Sequence, residues 1–159
     1  MIQFDADEKI RYVDISSIDA KTNRIASITE YLMKQAPSRA RQCIQNGDIL
    51  VSTVRPNLKN IAVCNDLSSD LVCSTGFCVL RVNSVKSEFL LGLVTSDAFT
   101  AEMIGKSRGA SYPAITDDDV LKFSFNMPPM SIQTKFSKFI HEVDKSKYAI
   151  NGNDKNKVD

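Results

Sequence analysis

Residues 47–57 read GDILVSTVRPN, and the fold follows from how that stretch is read. Gly47 and Asp48 are turn formers and Ile49 to Val54 is an apolar, β-branched run. Pro56 has no N–H to give to a ladder, so the strand they predict stops near Arg55. An arginine is left standing at a strand mouth. On the C-terminal side IAVC (61–64), the turn-rich NDLSSD and LVCSTGFCVLRV (71–82) predict further antiparallel strands. Gly76 marks a bulge or a close backbone approach within the last of them. On the N-terminal side RYVDISSID (11–19) alternates like one half-buried strand before the polar loop DAKTNR. Pro37 and Ser38 open, and Asn46-Gly47 close, a predicted short helix over 36–46 that would carry Arg39 and Arg41.

Beyond Ser87 the period changes. Phe89, Leu90, Leu93 and Val94 recur at helical spacing. After Asp97, a predicted N-cap, Phe99, Ala101, Met103 and Ile104 continue the pattern until Gly105 closes it. GKSRGASYPAIT (105–116) predicts a long loop carrying Lys106, Arg108 and Tyr112, and Leu121, Phe123 and Phe125 alternate as a strand that ends at Pro128-Pro129. Ile132, Phe136, Phe139 or Ile140, and Val143 then make one apolar stripe on a helix over 130–148. That stripe packs either on its own domain or on a partner chain. The polar tail, 149–159, reads as disordered.

At 159 residues, 43% hydrophobic and 25% charged, the chain has the composition of one soluble globular domain. No run is long enough to span a bilayer, and MIQFDADEKI carries acids where a signal peptide carries bases, which predicts a cytoplasmic protein. Cys43, Cys64, Cys73 and Cys78 form no CxxC pair, and the single histidine, His141, is remote from them in sequence, which argues against a zinc site and a disulfide framework alike. Val, Leu or Ile neighbours at three of the four predict small buried thiols. The net charge is only +1, yet Lys34 to Lys59 holds five bases (Lys34, Arg39, Arg41, Arg55, Lys59) against Asp48 alone, a local excess of +4.

Catalysis finds little support. One histidine on a predicted helix does not make a nucleophile–base pair. Asp117, Asp118 and Asp119 are consecutive and cannot all face one cation, so capping is the role they predict. NMPPM (126–130) departs from the Asn-Pro-Pro-aromatic tetrapeptide of amino-methyltransferases: Met127 intervenes, no aromatic follows Pro129, and no Gly-rich turn after a strand is present to hold a cofactor. What remains is binding. Ser38, Arg39, Arg41, Arg55, Asn57 and Lys59 come from two neighbouring segments, and Lys106, Arg108 and Tyr112 from a third. A sheet that gathers these would offer a basic edge to phosphates and base edges.

Taken in order, YVDISSID (12–19), APSRAR (36–41), NGDILVSTVRPN (46–57), STGFCVLR (74–81), FLLGLVTSDAF (89–99), GASYPAIT (109–116) and PPMSIQTKF (128–136) resemble the target recognition domain of the DNA specificity subunit of type I restriction-modification enzymes. The resemblance implies an α+β domain over 1–129 with a twisted, mostly antiparallel sheet and flanking helices. It would read one half of a split double-stranded DNA target through the major groove, with no catalysis and no cofactor of its own. In such systems modification subunits bring S-adenosylmethionine and methylate adenine, and a restriction subunit cuts. The helix after the prolines corresponds to the start of the spacer helix that docks the modification subunits, which makes Ile132, Phe136, Phe139 and Val143 partner-facing candidates. Because the GDILVSTVRPN words recur in members with different targets, Arg55 is expected to hold the corner through neighbouring carbonyls or to touch a phosphate, with Asn57 shaping the turn. The choice of bases would fall to the loops around Arg39, Lys59 and Arg108.

This sequence also departs from the family pattern. It has one recognition domain where a full subunit has two, and it starts at the domain's usual second segment. Ile132 stands before Gln133 where the family prefers an acid. These departures predict a half-subunit, which would dimerise to recover two recognition halves, or else a gene fragment or an expressed piece of a longer chain. Two other functions compete: a remnant that only associates with modification subunits, and a small S-adenosylmethionine-dependent methyltransferase.

Overall fold

In the computed structural model, which describes residues 4–81 and 84–153, two sheets stack and helices cover one of them. Strand β1 (Lys9–Val13) stops where Asp14 turns the chain: its carboxylate accepts from the Ile15 amide, and its own N–H is received by Ser17 Oγ. That reciprocal cap winds Ile15–Ser17 into a single 3-10 turn. The stretch predicted as one strand over 11–19 is therefore two, since β2 (Ile18–Asp19) belongs to a different sheet. Short strands β3 (Arg24–Ile25) and β4 (Thr29–Leu32) follow. The helix predicted over 36–46 does not form. A 3-10 turn at Met33–Gln35 precedes it, and Ala40–Cys43 is strand β5, held by β8 through Ala40↔Ser74 and Cys43↔Val72 with a bulge between. Tertiary pairing has overridden the Pro-Ser start signal, and Arg41 rides on a strand.

The opening stretch forms the predicted strand, which ends at Ser52 rather than near Arg55, with Val54 in an isolated bridge to Ala114. β6 (Ile49–Ser52) pairs antiparallel with β7 (Ile61–Val63) on one side. The run 71–82 is not one bulged strand, however. It is β8 (Leu71–Ser74) and β9 (Phe77–Leu80), and the chain passes from one sheet to the other at Thr75-Gly76. Gly76 is a close approach, as expected: a Cβ there would lie 2.8 Å from Ile15 Cδ1. The four-stranded sheet runs β4-β1-β8-β5 and the five-stranded sheet β2-β3-β7-β6-β9; five pairings are antiparallel and two (β1–β8, β3–β7) parallel. The class is α+β and mostly antiparallel, with two sheets in place of the single one expected.

Alternation along the central strands explains the layering. Leu50, Ala62 and Phe77 face Val13, Ile18, Leu71 and Cys73 between the sheets. Ile49, Val51, Ile61 and Cys78 face the helices, and Ile10, Tyr12 and Val72 close the outer side. Strands buried on both faces read as continuous apolar runs, which is how ILV and LVC appear in the sequence. Helix α1 (Ser87–Val94) and α2 (Asp97–Lys106) supply Leu90, Val94, Phe99 and Met103. Ser96, not Asp97, caps α2, and Gly105 is helical one residue before its end. The strand predicted through Leu121 is replaced by α3 (Asp117–Leu121), opened by a Thr116–Asp119 capping box. Phe123 and Phe125 then stack at 6.3 Å without strand pairing. Three cysteines are buried and free, and Cys43 is exposed; burial pushes the Cys73 and Cys78 thiols up to about 12.

Helix α4 (Met130–Asn153) runs five residues into the predicted tail; residues 154–159 lie outside the described residues, as does the side chain of His141. Among the described residues no helix is long and apolar enough to cross a membrane.

Candidate nucleic-acid interface

The RPN corner is built by the loops around it. Past β6, Thr53 donates its amide and hydroxyl to the Gly76 carbonyl (2.9 and 3.0 Å), and Val54 bridges Ala114. Arg55 lies in the left-handed region (φ 49°, ψ 64°), a conformation costing a non-glycine residue about 1–2 kcal/mol. Its amide donates to the Pro113 carbonyl at 2.8 Å and its carbonyl accepts from Leu58 at 2.9 Å, which together hold the strained residue in place. Pro56–Leu58 form one 3-10 turn, and Lys59 (φ 49°) closes it. The corner is thus held through Arg55's backbone, its amide on the Pro113 carbonyl, while its guanidinium lies over the Tyr112 ring with Cζ 5.2 Å from the centroid.

Tyr112 is placed with equal care. Arg108 and Ala114 exchange two amide–carbonyl bonds at 2.9 Å and pinch 109–113 into a tight loop. Gly109 sits at φ +95°, where a Cβ would meet the Tyr112 carbonyl oxygen at 2.9 Å, so only glycine lets the loop fold back. On the other side, Arg39 follows Pro37 and Ser38 in an exposed loop, and its carbonyl accepts from Thr75 at the sheet-crossing corner. Four separated segments therefore meet around one cleft of about 390 Å³, whose walls include Asp14, Arg39, Arg55, Leu58, Asn60 and Tyr112.

The expected cations divide by whether their charge is already used. Lys59 Nζ is 2.7 Å from Asp97 and also reaches the Thr95 carbonyl. Lys106 pairs with Glu102 at 2.6 Å, Arg108 with Asp119 at 3.3 Å, and Lys34 with Asp7. Arg39, Arg41 and Arg55 are exposed, and none of their guanidiniums has a hydrogen bond or ion pair among the described residues, that of Arg55 resting only on the Tyr112 ring. Ser38 and Asn57 are exposed beside them. The free positive charge is therefore concentrated in two of the three predicted segments, and Lys59, Lys106 and Arg108 act first as internal ties. The acid triplet is used locally: Asp119 caps α3 with its carboxyl held below its usual range by Thr116, Asp118 pairs with Lys122, and burial raises Asp117.

The second candidate surface is α4, and its stripe is divided. Phe136 packs into its own domain against Gly92, where a Cβ would lie 2.9 Å from the ring, and meets Phe89 edge-on at 6.0 Å. Buried Gln133 donates to the Pro128 carbonyl (3.0 Å) and accepts from the Lys86 amide (3.3 Å); buried Ser137 bonds Glu88. Val143 is half-buried, while Ile132 and Phe139 are 47% and 60% exposed. So α4 docks on α1 through Gln133, Phe136 and Ser137 and leaves an adjacent apolar flank uncovered.

The family described as the type I restriction modification DNA specificity domain matches residues 3–159. This chain belongs to that family. It is 35% identical over 147 residues to the type I restriction enzyme HindI specificity subunit of Haemophilus influenzae, covering 89% of this chain and 32% of that one. Among solved structures, the HsdS subunit from Thermoanaerobacter tengcongensis superposes with a TM-score of 0.77 at 41% identity, covering 91% of this chain and 38% of that one. A structure described as the structural basis of complex assembly and conformational transition of the type I R-M system gives a TM-score of 0.77 at 38% identity, over 94% of this chain and 38% of that one. The chain thus spans about a third of the length of each of these relatives. In this specificity domain, sequence reasoning passed over the Asp48–Arg81 pair, Leu58, Asn60 and Asp14. Asp48 had been read as a turn former alone, and nothing local marks the other three as lining a cleft.

Proposed function

We propose that this specificity domain reads part of a double-stranded DNA target and directs type I modification and restriction subunits to it. The observation that carries the proposal is the gathering of Arg39 and Arg55, neither guanidinium hydrogen-bonded or ion-paired among the described residues, around one cleft, with Arg41 two positions along the chain from Arg39, on β5. Unpaired guanidiniums on a rigid rim suit phosphate and guanine alike, because the planar fork bonds both in two places. Ser38, Asn57 and Tyr112 complete the proposed contact surface, with Lys59, Lys106 and Arg108 at its margin. The partner is duplex DNA, the setting is the cytoplasm, and chemistry is assigned to associated subunits and none to this chain. If two recognition halves are needed, a second domain or a second copy of this chain supplies the other. Titrating a randomised duplex against wild type and an Arg39→Ala/Arg41→Ala/Arg55→Ala variant tests the reading. Loss of binding with an unchanged melting curve is expected, and equal affinity of the two proteins would refute it.

The uncovered flank of α4 favours a second, compatible role. Exposed Ile132 and Phe139, with Val143 and the edge of Phe136, suit a modification subunit laid along the helix. An Ile132→Ser/Phe139→Ser variant should keep its melting temperature and fail to co-purify with modification subunits.

A further inference from the structure

Phosphate contacts position a protein on DNA but carry no sequence information, so the cleft must also offer groups suited to base edges if it is to choose a target. Its composition is wrong for a simple phosphate cradle. Asp14 lines it, and a carboxylate there would repel a phosphodiester. Two further lining residues are Leu58 and Asn60, which stand two positions apart at the end of the RPN turn.

Asn60 immediately precedes β7. Alternation places its side chain on the side of Ala62, which packs between the sheets beside Ile18, and opposite to Ile61, which packs on α2. Ile18 itself lines the cleft, so Asn60 is directed there. The Asn60 carbonyl is used by the Ser52 amide at 3.0 Å, whereas its carboxamide has no hydrogen bond among the described residues, although the residue is half-buried. Leu58 is 49% exposed yet rigidly seated, between the Arg55 carbonyl and a Lys59 pinned to Asp97. An unpaired carboxamide offers a donor and an acceptor side by side, the complement of adenine N7 and N6, and an apolar side chain beside it complements the thymine methyl of the same pair.

We infer that Asn60 and Leu58 are specificity-determining residues that read one A·T pair in the major groove, Asn60 taking the adenine edge and Leu58 the thymine methyl. The inference rests on the DNA-recognition reading above and deepens it. It moves the choice of bases from Lys59 and Arg108, whose charges are tied internally, to two uncharged neighbours in the cleft.

The test uses the full chain and the duplex it prefers from a randomised pool, with 7-deazaadenine and uracil substituted singly for adenine and thymine. At one A·T pair both analogues should weaken wild type by about tenfold. Asn60→Ala should become indifferent to 7-deazaadenine and Leu58→Ala to uracil, each with an unchanged salt slope. Asn60→Asp preserves size and replaces the donor by an acceptor, so it should shift the preferred base at that position towards cytosine, whose N4 donates. This variant covers the case in which Asn60→Ala fails to fold. Variants with wild-type sensitivity to both analogues and wild-type preference would overturn the inference and leave DNA recognition standing. Failure of wild type to bind any duplex in a salt-dependent way would remove both.

Discussion

Arg81 closes the STGFCVLR segment, and its guanidinium reaches back to the carboxylate of Asp48 in the GDILV turn. Nε and Nη2 lie 2.8 and 2.6 Å from the two oxygens, and the Gln45 amide donates to one of them at 2.9 Å. Asp48 is 1% exposed, while Arg81 is half in water at 47%. The burial is one-sided, so the two deletions should differ. Arg81→Ala strands a buried carboxylate with one remaining donor. Breaking a fully buried pair costs about 3–5 kcal/mol, and the exposure of Arg81 reduces this to about 2–4 kcal/mol. Asp48→Asn frees a guanidinium that water already reaches and keeps a bond to Gln45, which costs about 1–2 kcal/mol. Arg81→Lys, with the charge but not the fork, should fall near the latter. Equilibrium urea unfolding followed by circular dichroism measures this directly: with a slope of about 2 kcal/mol per molar, Arg81→Ala should lower the midpoint by about 1–2 M. A midpoint within about 0.2 M of wild type, or Asp48→Asn proving the more damaging, would refute the reasoning.

Other outcomes follow from the same structure. Arg11 donates to Asp66, and with Ser68 it holds that carboxyl well below the usual carboxylate range. A depressed carboxyl stabilises above its unfolded pKa and loses that contribution as pH falls through the folded value, so wild type should lose stability below about pH 4, and Arg11→Gln should show a flatter acid limb in melting scans. Native protein should react at one thiol, Cys43, with a disulfide reagent, and at all four after denaturation, as measured by absorbance. Gly109→Ala forces a positive φ on alanine against the Tyr112 carbonyl; it should cost about 1–3 kcal/mol in calorimetry and weaken duplex binding through displacement of Tyr112.

The β-strands at 49–52 and 61–63 and the helices at 87–94, 97–106 and 130–153 were legible because apolar periodicity and turn residues agreed there. The failures have physical causes. At 40–43 a cap signal lost to strand pairing with β8, far along the chain at Leu71–Ser74. At 74–77 the Ser-Thr-Gly step between two apolar stretches reads as a bulge within one strand, and it concealed a change of sheet. At 121–125 alternating phenylalanines packed against α1 and α2 without any ladder. Of the candidate residues expected in three segments, Arg39, Arg55 and Tyr112 line one cleft. Which cations remain free was not legible, since Asp97, Glu102 and Asp119 become partners only through the folded chain or its helical turns.

The central claim is that duplex DNA binds where the unpaired guanidiniums gather. The most direct test is the salt dependence of duplex affinity for single alanine variants of Arg39, Arg41, Arg55, Lys106 and Arg108. Each of the three free arginines should lower the slope of log K against log salt by about 1, with Lys106 and Arg108 moving it less. Slopes unchanged at Arg39, Arg41 and Arg55 would contradict it.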